Sequence, residues 1–303
     1  MADTTYHEQP AARRTFKDSI FRMLFSDKEK LLTLYNAVNG TNYQDPGLLE
    51  VNTLKNAIYM AVHNDISFLA GDSLSLYEHQ STCSGNLTLR FLFYVSDLFS
   101  SLTRDSNLYG RKGVRLPAPR FLIFYNGEEE TEERKVLRLS ELYAVQEDQP
   151  ALELEDVLLN INPGYNEKLK QDCPILGEYV TYTTKVRQYA KEMELTQAVE
   201  RAMEECIREG ILADFLQKNR SEAKKVSIYE YDAERHIRME WEEAMEEGME
   251  KGIVLGQQEM LMKQVQKKLQ KGYTLPEIAD ALETEEAEIQ KIMKAMEEEN
   301  VLV

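Results

Sequence analysis

The pattern of apolar and polar positions predicts a chain with a mixed front part and a helical rear part. Two short strand-like runs, 66–70 and 74–78, are separated by a Gly-Asp pair at 71–72. Gly followed by Asp is typical of a two-residue hairpin turn, because glycine adopts the positive φ that such a turn requires. Two further apolar runs, 120–125 and 156–161, end at turn residues and predict buried strands.

Helical spacing of apolar residues predicts most of the other elements. Asp27 and Asn86 are expected to cap the helices that follow them. The segment 53–62 fits a strand or a helix, and its periodicity does not decide between them. This order of helices, hairpin and strands predicts a mixed α/β core. The predicted helices are 16–25, 28–39, 87–103, 178–192, 196–209, 211–219 and 233–270, with a helix pair after 274.

The hairpin register places two acidic residues opposite each other. With the turn at 71–72, pairing outward along the strands sets Asp65 across from Glu78. Gln80 shares the face of Glu78, because side chains alternate between the two faces of a strand. Opposed Cβ atoms lie about 4.5–5.5 Å apart, so these carboxylates can bind one divalent cation, and without it they repel each other. The polar, solvent-exposed face of a half-buried hairpin has the same spacing, so both interpretations stay open.

Charge and cysteine content narrow the classes of function. The 303 residues carry a formal net charge of −17, and the acid excess lies mainly in residues 192–303, with 27 acids against 15 bases. A protein this acidic binds nucleic acid only through a local basic patch. The three cysteines show no metal-ligand spacing, so we expect neither a zinc site nor a disulfide framework. The sequence shows no signal peptide and no run of about 18 apolar residues, so we expect a cytoplasmic protein with no membrane partner.

The interval 104–120 is the clearly basic stretch of the chain, with five bases and a single acid. Glycines at 110 and 113 favour a flexible loop here. Arg111, Lys112 and Arg115 are therefore candidates for contacts with the phosphates of DNA. An ordinary solvated surface loop has the same composition, so this alternative also stays open.

The rear part of the chain predicts an interaction module. Glycines at 248, 252 and 256 recur at every fourth position of a charged helical tract, which fits a flexible linker or a face where another backbone packs closely. Thr274 and Glu277 form a capping-box pattern at the start of two short helices. The second of these helices is strongly acidic, so we expect self-association through the C-terminal helices rather than DNA contact. The predicted domains are a core at 1–191, a helical extension and linker at 192–256, and a helical tail at 257–303.

The hairpin sequence NDISFLAGDSLSLYEHQST, at 64–82, resembles the active-site hairpin of the PD-(D/E)XK nuclease superfamily. It is most similar to the Rpn branch, the recombination-promoting nucleases that are also described as transposases. The similarity extends to YNG at 125–127, to GILADFL at 210–216 and to the glycine-spaced tract. The resemblance implies a restriction-endonuclease-like α/β core, with a mixed sheet flanked by helices. It also implies a metal-dependent DNA endonuclease linked to recombination or transposition.

The resemblance also assigns roles to individual residues. It implies that Asp65 and Glu78 bind Mg²⁺, with Mn²⁺ as a substitute, and that the main-chain carbonyl of His79 is a further ligand. Through FKDSIF, Asp18 matches an acidic residue on the first helix of the family. Gln80 stands where a lysine is usual. An amide can orient a water molecule but brings no positive charge to the phosphate.

Three functions are therefore compatible with the sequence. The first is a Mg²⁺-dependent endodeoxyribonuclease, in which Gln80 positions the attacking water. The second is a protein with the same core that binds DNA without cutting it. The third is an acidic helical protein whose role is interaction or oligomerisation, with the core as a scaffold.

Overall fold

The computed structural model describes residues 19–51, 65–82 and 84–298 of the chain. The chain divides into two compact units, the first ending at Glu234 and the second beginning at Arg235. The first unit combines a six-stranded sheet with helices, which confirms the predicted mixed α/β class. This division differs from the predicted boundaries after 191 and 256, because helices beyond 191 bury apolar side chains in the core of the first unit. The predicted element at 53–62 and the candidate ligand Asp18 lie outside the described residues.

Along the chain, two helices precede three strands, a third helix precedes three more strands, and helices alone follow among the described residues. The strands are β1 (Leu49–Val51), β2 (Ile66–Ala70), β3 (Ser73–Gln80), β4 (Ala118–Tyr125), β5 (Arg134–Arg138) and β6 (Glu155–Asn160). The helices are α1 (Ile20–Phe25), α2 (Lys28–Asn39), α3 (Leu87–Leu102), α4 (Glu167–Asp172), α5 (Pro174–Ala190), α6 (Leu195–Glu209), α7 (Ala213–Lys218), α8 (Arg220–Gln270), α9 (Leu275–Ala281) and α10 (Glu286–Glu298). Short 3₁₀ turns lie at Pro46–Leu48 and Leu139–Leu142.

The sheet has the strand order β1-β2-β3-β4-β6-β5. Strands β2 and β3 are antiparallel in the predicted register, with Ile66 opposite Tyr77. Strands β3, β4 and β6 are parallel, which brings their carboxyl ends, Gln80, Tyr125 and Asn160, to one edge of the sheet. Ligands of open α/β sheets bind outside this edge.

Helices cover both faces of the sheet. One face carries Phe68, Tyr77 and Phe124, in an apolar cluster with residues of α1, α2, α5 and α6. The other face carries Leu76 and Ile123, in a cluster with residues of α3. Side chains of β3 alternate between the two clusters, and the strand is buried along most of its length. A polar side chain on β3 is therefore enclosed by protein whichever face it lies on.

Of the helix caps that the sequence predicts at Asp27 and Asn86, the structure confirms the first but not the second. Asp27 caps α2 by accepting the N–H groups of Glu29 and Lys30, and Gly40 ends this helix in the left-handed conformation with φ 63°. Helix α3 begins after Asn86 as predicted, but the expected cap is wrong, because the Asn86 side chain makes no capping hydrogen bond. The backbone of Asn86, with ψ 14°, lies outside the extended region that N-capping residues adopt.

The second unit has an apolar cluster of its own. The end of α8 contributes Val265 to this cluster, α9 contributes Ile278, and α10 contributes Ile289. The predicted capping box is confirmed, since the Glu277 carboxylate accepts the Thr274 N–H over 2.7 Å at the start of α9. None of the helices in the described residues combines the length and apolarity needed to cross a membrane.

A carboxyl group is buried between the sheet and α3. Asp156 on β6 is fully buried, and its Oδ2 accepts the Thr88 hydroxyl over 3.1 Å. Its Oδ1 has no hydrogen-bond partner among the described residues. Burial raises the pKa of Asp156 to about 7, because desolvation disfavours the charged form and the Thr88 hydroxyl opposes this only in part.

This carboxyl predicts a stability difference that depends on pH. The folded protein holds the Asp156 proton more tightly than the unfolded chain does, so its contribution to stability is lost as pH rises from about 4 to about 7. Asn at this position stays neutral at every pH. We therefore expect the unfolding free energy of Asp156→Asn to rise by about 2–3 kcal/mol relative to that of the wild type between pH 5 and pH 8. Urea unfolding at both pH values measures this gain. A difference between the two proteins that does not change with pH would contradict the expectation.

Candidate metal centre

The structure places Asp65 and Glu78 side by side at the open end of the hairpin. The main-chain N–H of Asp65 donates to Oε2 of Glu78 over 3.2 Å. The main-chain N–H of His79 donates to Oδ2 of Asp65 over 2.7 Å. These bonds continue the contact of the two strands beyond their last pair, Ile66 with Tyr77. The two carboxylates therefore face each other, as the hairpin register predicts.

Glu78 is buried, with only 3% of its surface exposed. It lies on the sheet face that α3 covers, so the alternative of a solvent-exposed polar face is wrong for this residue. Gln80 lies two residues further along the same face, and its Nε2 donates to Oε1 of Glu78 over 3.1 Å. The three candidate residues Asp65, Glu78 and Gln80 thus form one partly buried polar group at the carboxyl edge of the sheet.

An arginine from α3 completes this group. Nη2 of Arg90 donates to Oε1 of Glu78 over 2.5 Å, and the same guanidinium contacts the Tyr94 hydroxyl over 3.2–3.3 Å. The Arg90 side chain remains 30% exposed, so it extends from the buried carboxylate toward solvent. Sequence reasoning missed this residue. The signal was present, because Arg90 is three residues after Leu87 and four before Tyr94, on the buried face of an apolar helix.

The electrostatics of the carboxylate pair follow from burial. Desolvation raises the pKa of Asp65, and the N–H of His79 opposes this in part. Desolvation also raises the pKa of Glu78, and the neighbouring Asp65 charge raises it further, against the effect of Arg90. Two such carboxyls compete for a proton, because both cannot ionise at low cost without a positive charge between them. Arg90 supplies one positive charge, and a divalent cation would supply more.

The donor set fits a hard divalent cation. Carboxylate oxygens are preferred ligands of Mg²⁺, which is commonly bound through one or two carboxylates and completes its shell with waters and substrate phosphates. Asp65 and Glu78 meet this requirement as a pair. Among the residues that the structure describes, no group of three or more His, Cys, Asp and Glu side chains is arranged to hold a metal. The remaining ligands would therefore come from main-chain oxygen, water or substrate.

The His79 imidazole lies on the opposite face of β3. Its Nε2 is hydrogen-bonded to the Tyr179 hydroxyl over 2.8 Å, and its ring stacks on Phe21 with centroids 5.4 Å apart. Burial lowers the pKa of His79 to about 3, with a further contribution from the charge of Arg187, so the ring is neutral. The His79 side chain therefore packs in the core, and only its main chain belongs to the candidate site.

The basic loop ends at the start of β4, at the opposite end of β3 from Glu78. Arg111, Lys112 and Arg115 are all exposed, in the segment that leads into β4. Strand β4 begins beside the hairpin turn, where the Ala118 N–H donates to the Asp72 carbonyl over 2.9 Å. Because β3 runs from this turn toward Glu78 at about 3.3 Å per residue, the loop enters the sheet roughly 16 Å from the carboxylates.

A different set of side chains surrounds the carboxyl edge. A cavity of about 390 Å³ lies next to the turn after β4, whose Asn126 N–H donates to the Gln80 carbonyl over 2.9 Å. Arg187 of α5 lines this cavity and donates to Oδ1 of Asn126 over 2.7 Å. Lys191 lies 3.5 Å from the Glu128 carboxylate at the rim. The polar groups beside the candidate site are thus of mixed charge and partly paired with each other.

The chain matches no protein-family model, and no match to it is found among curated proteins or solved structures. The roles of the candidate residues therefore rest on their geometry and on the resemblance of the hairpin.

The contact of Arg90 with Glu78 predicts a large cost when the arginine is removed. Arg90→Met keeps an unbranched apolar stem but leaves a buried carboxylate without its counter-charge, so we expect a loss of about 2–4 kcal/mol of unfolding free energy at pH 8 without divalent ions. Arg138→Met is the matched control, because its partner Glu155 is as exposed as Arg138 itself, and we expect it to cost less than about 1 kcal/mol. Equal costs for the two variants in chemical denaturation would contradict the assignment of Arg90.

Proposed function

We propose that the protein is a Mg²⁺-dependent endodeoxyribonuclease of the PD-(D/E)XK type, most similar to the Rpn recombination-promoting nucleases. The observation that carries this proposal is the facing pair Asp65 and Glu78, with Gln80 on the same strand face at the carboxyl edge of a mixed sheet. A sheet with helices on both faces supports a restriction-endonuclease-like core. Two acids that face each other across a sheet repel each other when no cation lies between them, and this repulsion supports a role in metal binding.

In this function, each residue of the site has a separate task. Asp65 and Glu78 would hold the divalent ion, with the His79 carbonyl as the candidate third ligand. A bound divalent ion lowers the pKa of a coordinated water and offsets charge that develops on the phosphate. Gln80 directs its amide N–H to Glu78, and its amide oxygen accepts a hydrogen bond from the attacking water. The water oxygen would then bond to phosphorus as the P–O bond to the leaving sugar oxygen breaks, while the water gives up a proton to solvent and the leaving oxygen takes one from solvent.

Arg90 supplies the positive charge that Gln80 lacks. Its guanidinium already contacts the Glu78 carboxylate, and its side chain is 30% exposed, so it is accessible from solvent. A cation bound to Glu78 would weaken the attraction of this carboxylate for Arg90, and the guanidinium would then be available to a phosphate oxygen. Guanidinium groups bind phosphate with two parallel hydrogen bonds, which suits Arg90 to charge stabilisation.

The basic loop fits DNA contact at a distance from the cut. Arg111, Lys112 and Arg115 precede β4, which begins roughly 16 Å from Glu78, at about 3.3 Å per strand residue. One strand of duplex DNA advances by about 3.4 Å per nucleotide. The end of the loop would therefore lie about five base pairs from the scissile bond, where it would provide affinity rather than chemistry.

A protein that binds DNA without cutting it is the second candidate. One observation favours it, because Oε1 of Glu78 already accepts hydrogen bonds from both Arg90 and Gln80. A carboxylate satisfied in this way binds a metal ion less readily than one that faces water. Cleavage and binding measured together separate the two candidates.

Cleavage of supercoiled plasmid in Mg²⁺ or Mn²⁺ tests the proposed function. We expect Asp65→Asn and Glu78→Gln each to lower the rate by at least about 100-fold, because each removes a charged ligand of the ion. Asp72→Asn is the matched control, since this exposed aspartate lies in the turn of the same hairpin and is expected to cut like the wild type. Gel shifts with the same plasmid fragment measure binding in parallel.

The outcomes discriminate between the candidates. If the wild type binds DNA but does not cut it with either ion, the second candidate is correct. If the Asp65→Asn and Glu78→Gln variants cut as fast as the wild type, the hairpin is not the active site. If the wild type neither cuts nor binds DNA, the result supports the third function, that of an interaction protein.

A further inference from the structure

The loop between α3 and β4 exposes an aromatic side chain completely. Residues 107–110 form a turn, because the Gly110 N–H donates to the Asn107 carbonyl over 3.2 Å. At the two central positions of this turn, Leu108 is 64% exposed and Tyr109 is fully exposed. A tyrosine ring ordinarily buries its apolar body and leaves its hydroxyl in water. The whole Tyr109 ring is therefore accessible to a ligand.

Hydrogen bonds order the chain between α3 and this turn. The Ser106 N–H donates to the Thr103 carbonyl over 2.9 Å, which closes a first turn directly after α3. The Tyr109 N–H donates to Oδ1 of Asn107 over 3.1 Å and so supports the second turn. An exposed side chain on a hydrogen-bonded turn loses less conformational entropy on binding than one on an unstructured chain. The two turns therefore favour Tyr109 as a contact residue.

Cations flank Leu108 and Tyr109 on both sides along the chain. Arg104 precedes them, and Arg111, Lys112 and Arg115 follow them, all four exposed. The interval 104–120 has a net charge of +4, in a chain whose net charge is −17. Within the described ranges, none of these four cations takes part in an ion pair. Their charges are therefore available to an anionic ligand.

An exposed ring among cations fits nucleic acid with unpaired bases. Proteins that bind single strands combine cations, which contact the phosphates, with aromatic side chains on which the bases stack. In a continuous duplex the bases already stack on one another, so the Tyr109 ring would find no free base face. Leu108 beside it is the kind of apolar side chain that enters between base steps when they separate.

A membrane surface fits the loop less well. Anionic lipids also attract cations, but binding to a membrane scales with the apolar area that enters it. Among the apolar side chains of the loop, only Leu108 and Tyr109 are more than half exposed. This area is small for a membrane contact, whereas a single ring suffices to stack on one base.

We propose that Leu108, Tyr109 and the four flanking cations form a binding site for unpaired DNA, in which an unpaired base stacks on the Tyr109 ring. We call it the Tyr109 site. The cations contact phosphates on either side of that base. The protein therefore prefers DNA with a gap, a fork or another unpaired segment over a continuous duplex. The inference rests on the proposed function for its ligand, DNA, but it does not require that the protein cut DNA.

Equilibrium binding in EDTA tests the Tyr109 site apart from cleavage. Two fluorescently labelled probes share one sequence: a continuous duplex, and the same duplex with a short central gap that leaves thymidines unpaired. By fluorescence anisotropy, we expect the wild type to bind the gapped probe at least about fivefold more tightly, the lower end of the range for one stacked base. A third probe, whose unpaired nucleotides are abasic, should be bound no more tightly than the continuous duplex.

Variants on the loop separate stacking from charge. Tyr109→Ala should remove the preference by weakening binding to the gapped probe alone, and Tyr109→Phe should keep it, because the ring rather than the hydroxyl stacks. Lys112→Ala should weaken binding to both probes by a similar factor, as the loss of a phosphate contact does. Tyr43→Ala is the matched control, since Tyr43 is an exposed tyrosine outside the loop, and it should bind both probes like the wild type.

The outcomes decide the assignment. Equal affinity of the wild type for the gapped and the continuous probe, or a Tyr109→Ala variant that keeps the preference, would overturn the proposal. Binding of the wild type to phosphatidylserine vesicles that Tyr109→Ala abolishes, with no preference between the probes, would assign the loop to a lipid surface instead. Cleavage of plasmid without the preference would leave the proposed nuclease intact and refute the Tyr109 site. The preference without cleavage would do the reverse.

Discussion

The placement of Asp65 beside Glu78 at the open end of the hairpin is the constraint on which the candidate site depends. Asp65 and Glu78 are held by main-chain N–H groups of the opposite strand, so neither can turn away without breaking the end of the hairpin. Glu78 is also enclosed by the helix that packs on its sheet face. Positive charge is therefore required at this point, because an uncompensated buried carboxylate is strongly destabilising. Arg90 meets the requirement in the absence of a metal ion.

The sheet topology gives this contact its access to a substrate. Parallel pairing of β3 with β4, and of β4 with β6, brings Gln80 to the same edge as the turns that follow the other two strands. The first turn of α3 places Arg90 over the carboxylates. The turn after β4 is hydrogen-bonded to the Gln80 carbonyl, two residues from Glu78. A movement of this turn would therefore displace the end of the strand that carries Glu78.

Local sequence signals predicted the part of the site that is formed by residues close to one another in the chain. A Gly-Asp turn and a two-residue period suffice to set Asp65 opposite Glu78, because pairing in a short hairpin follows from its turn. The burial of Glu78 depends on packing against α3, which the hairpin pattern does not encode, so polar alternation alone favoured the solvent-exposed face. The position of the basic loop depends on the parallel pairing of β3 with β4, which no local pattern indicates. Strand β5 was missed for a related reason, since it is an edge strand with no buried residue in its sequence Arg-Lys-Val-Leu-Arg.

Crystals of the protein soaked in Mn²⁺ give the most direct test of the central claim, that the facing carboxylates form a metal site. We predict an anomalous difference peak that both the Asp65 and the Glu78 carboxylates coordinate, at the distances of roughly 2.0–2.2 Å typical of a small divalent ion, with Arg90 displaced from Oε1. The peak should be lost in Glu78→Gln crystals. A structure at saturating Mn²⁺ in which no ion lies between the carboxylates, and Arg90 still contacts Glu78, would contradict the claim.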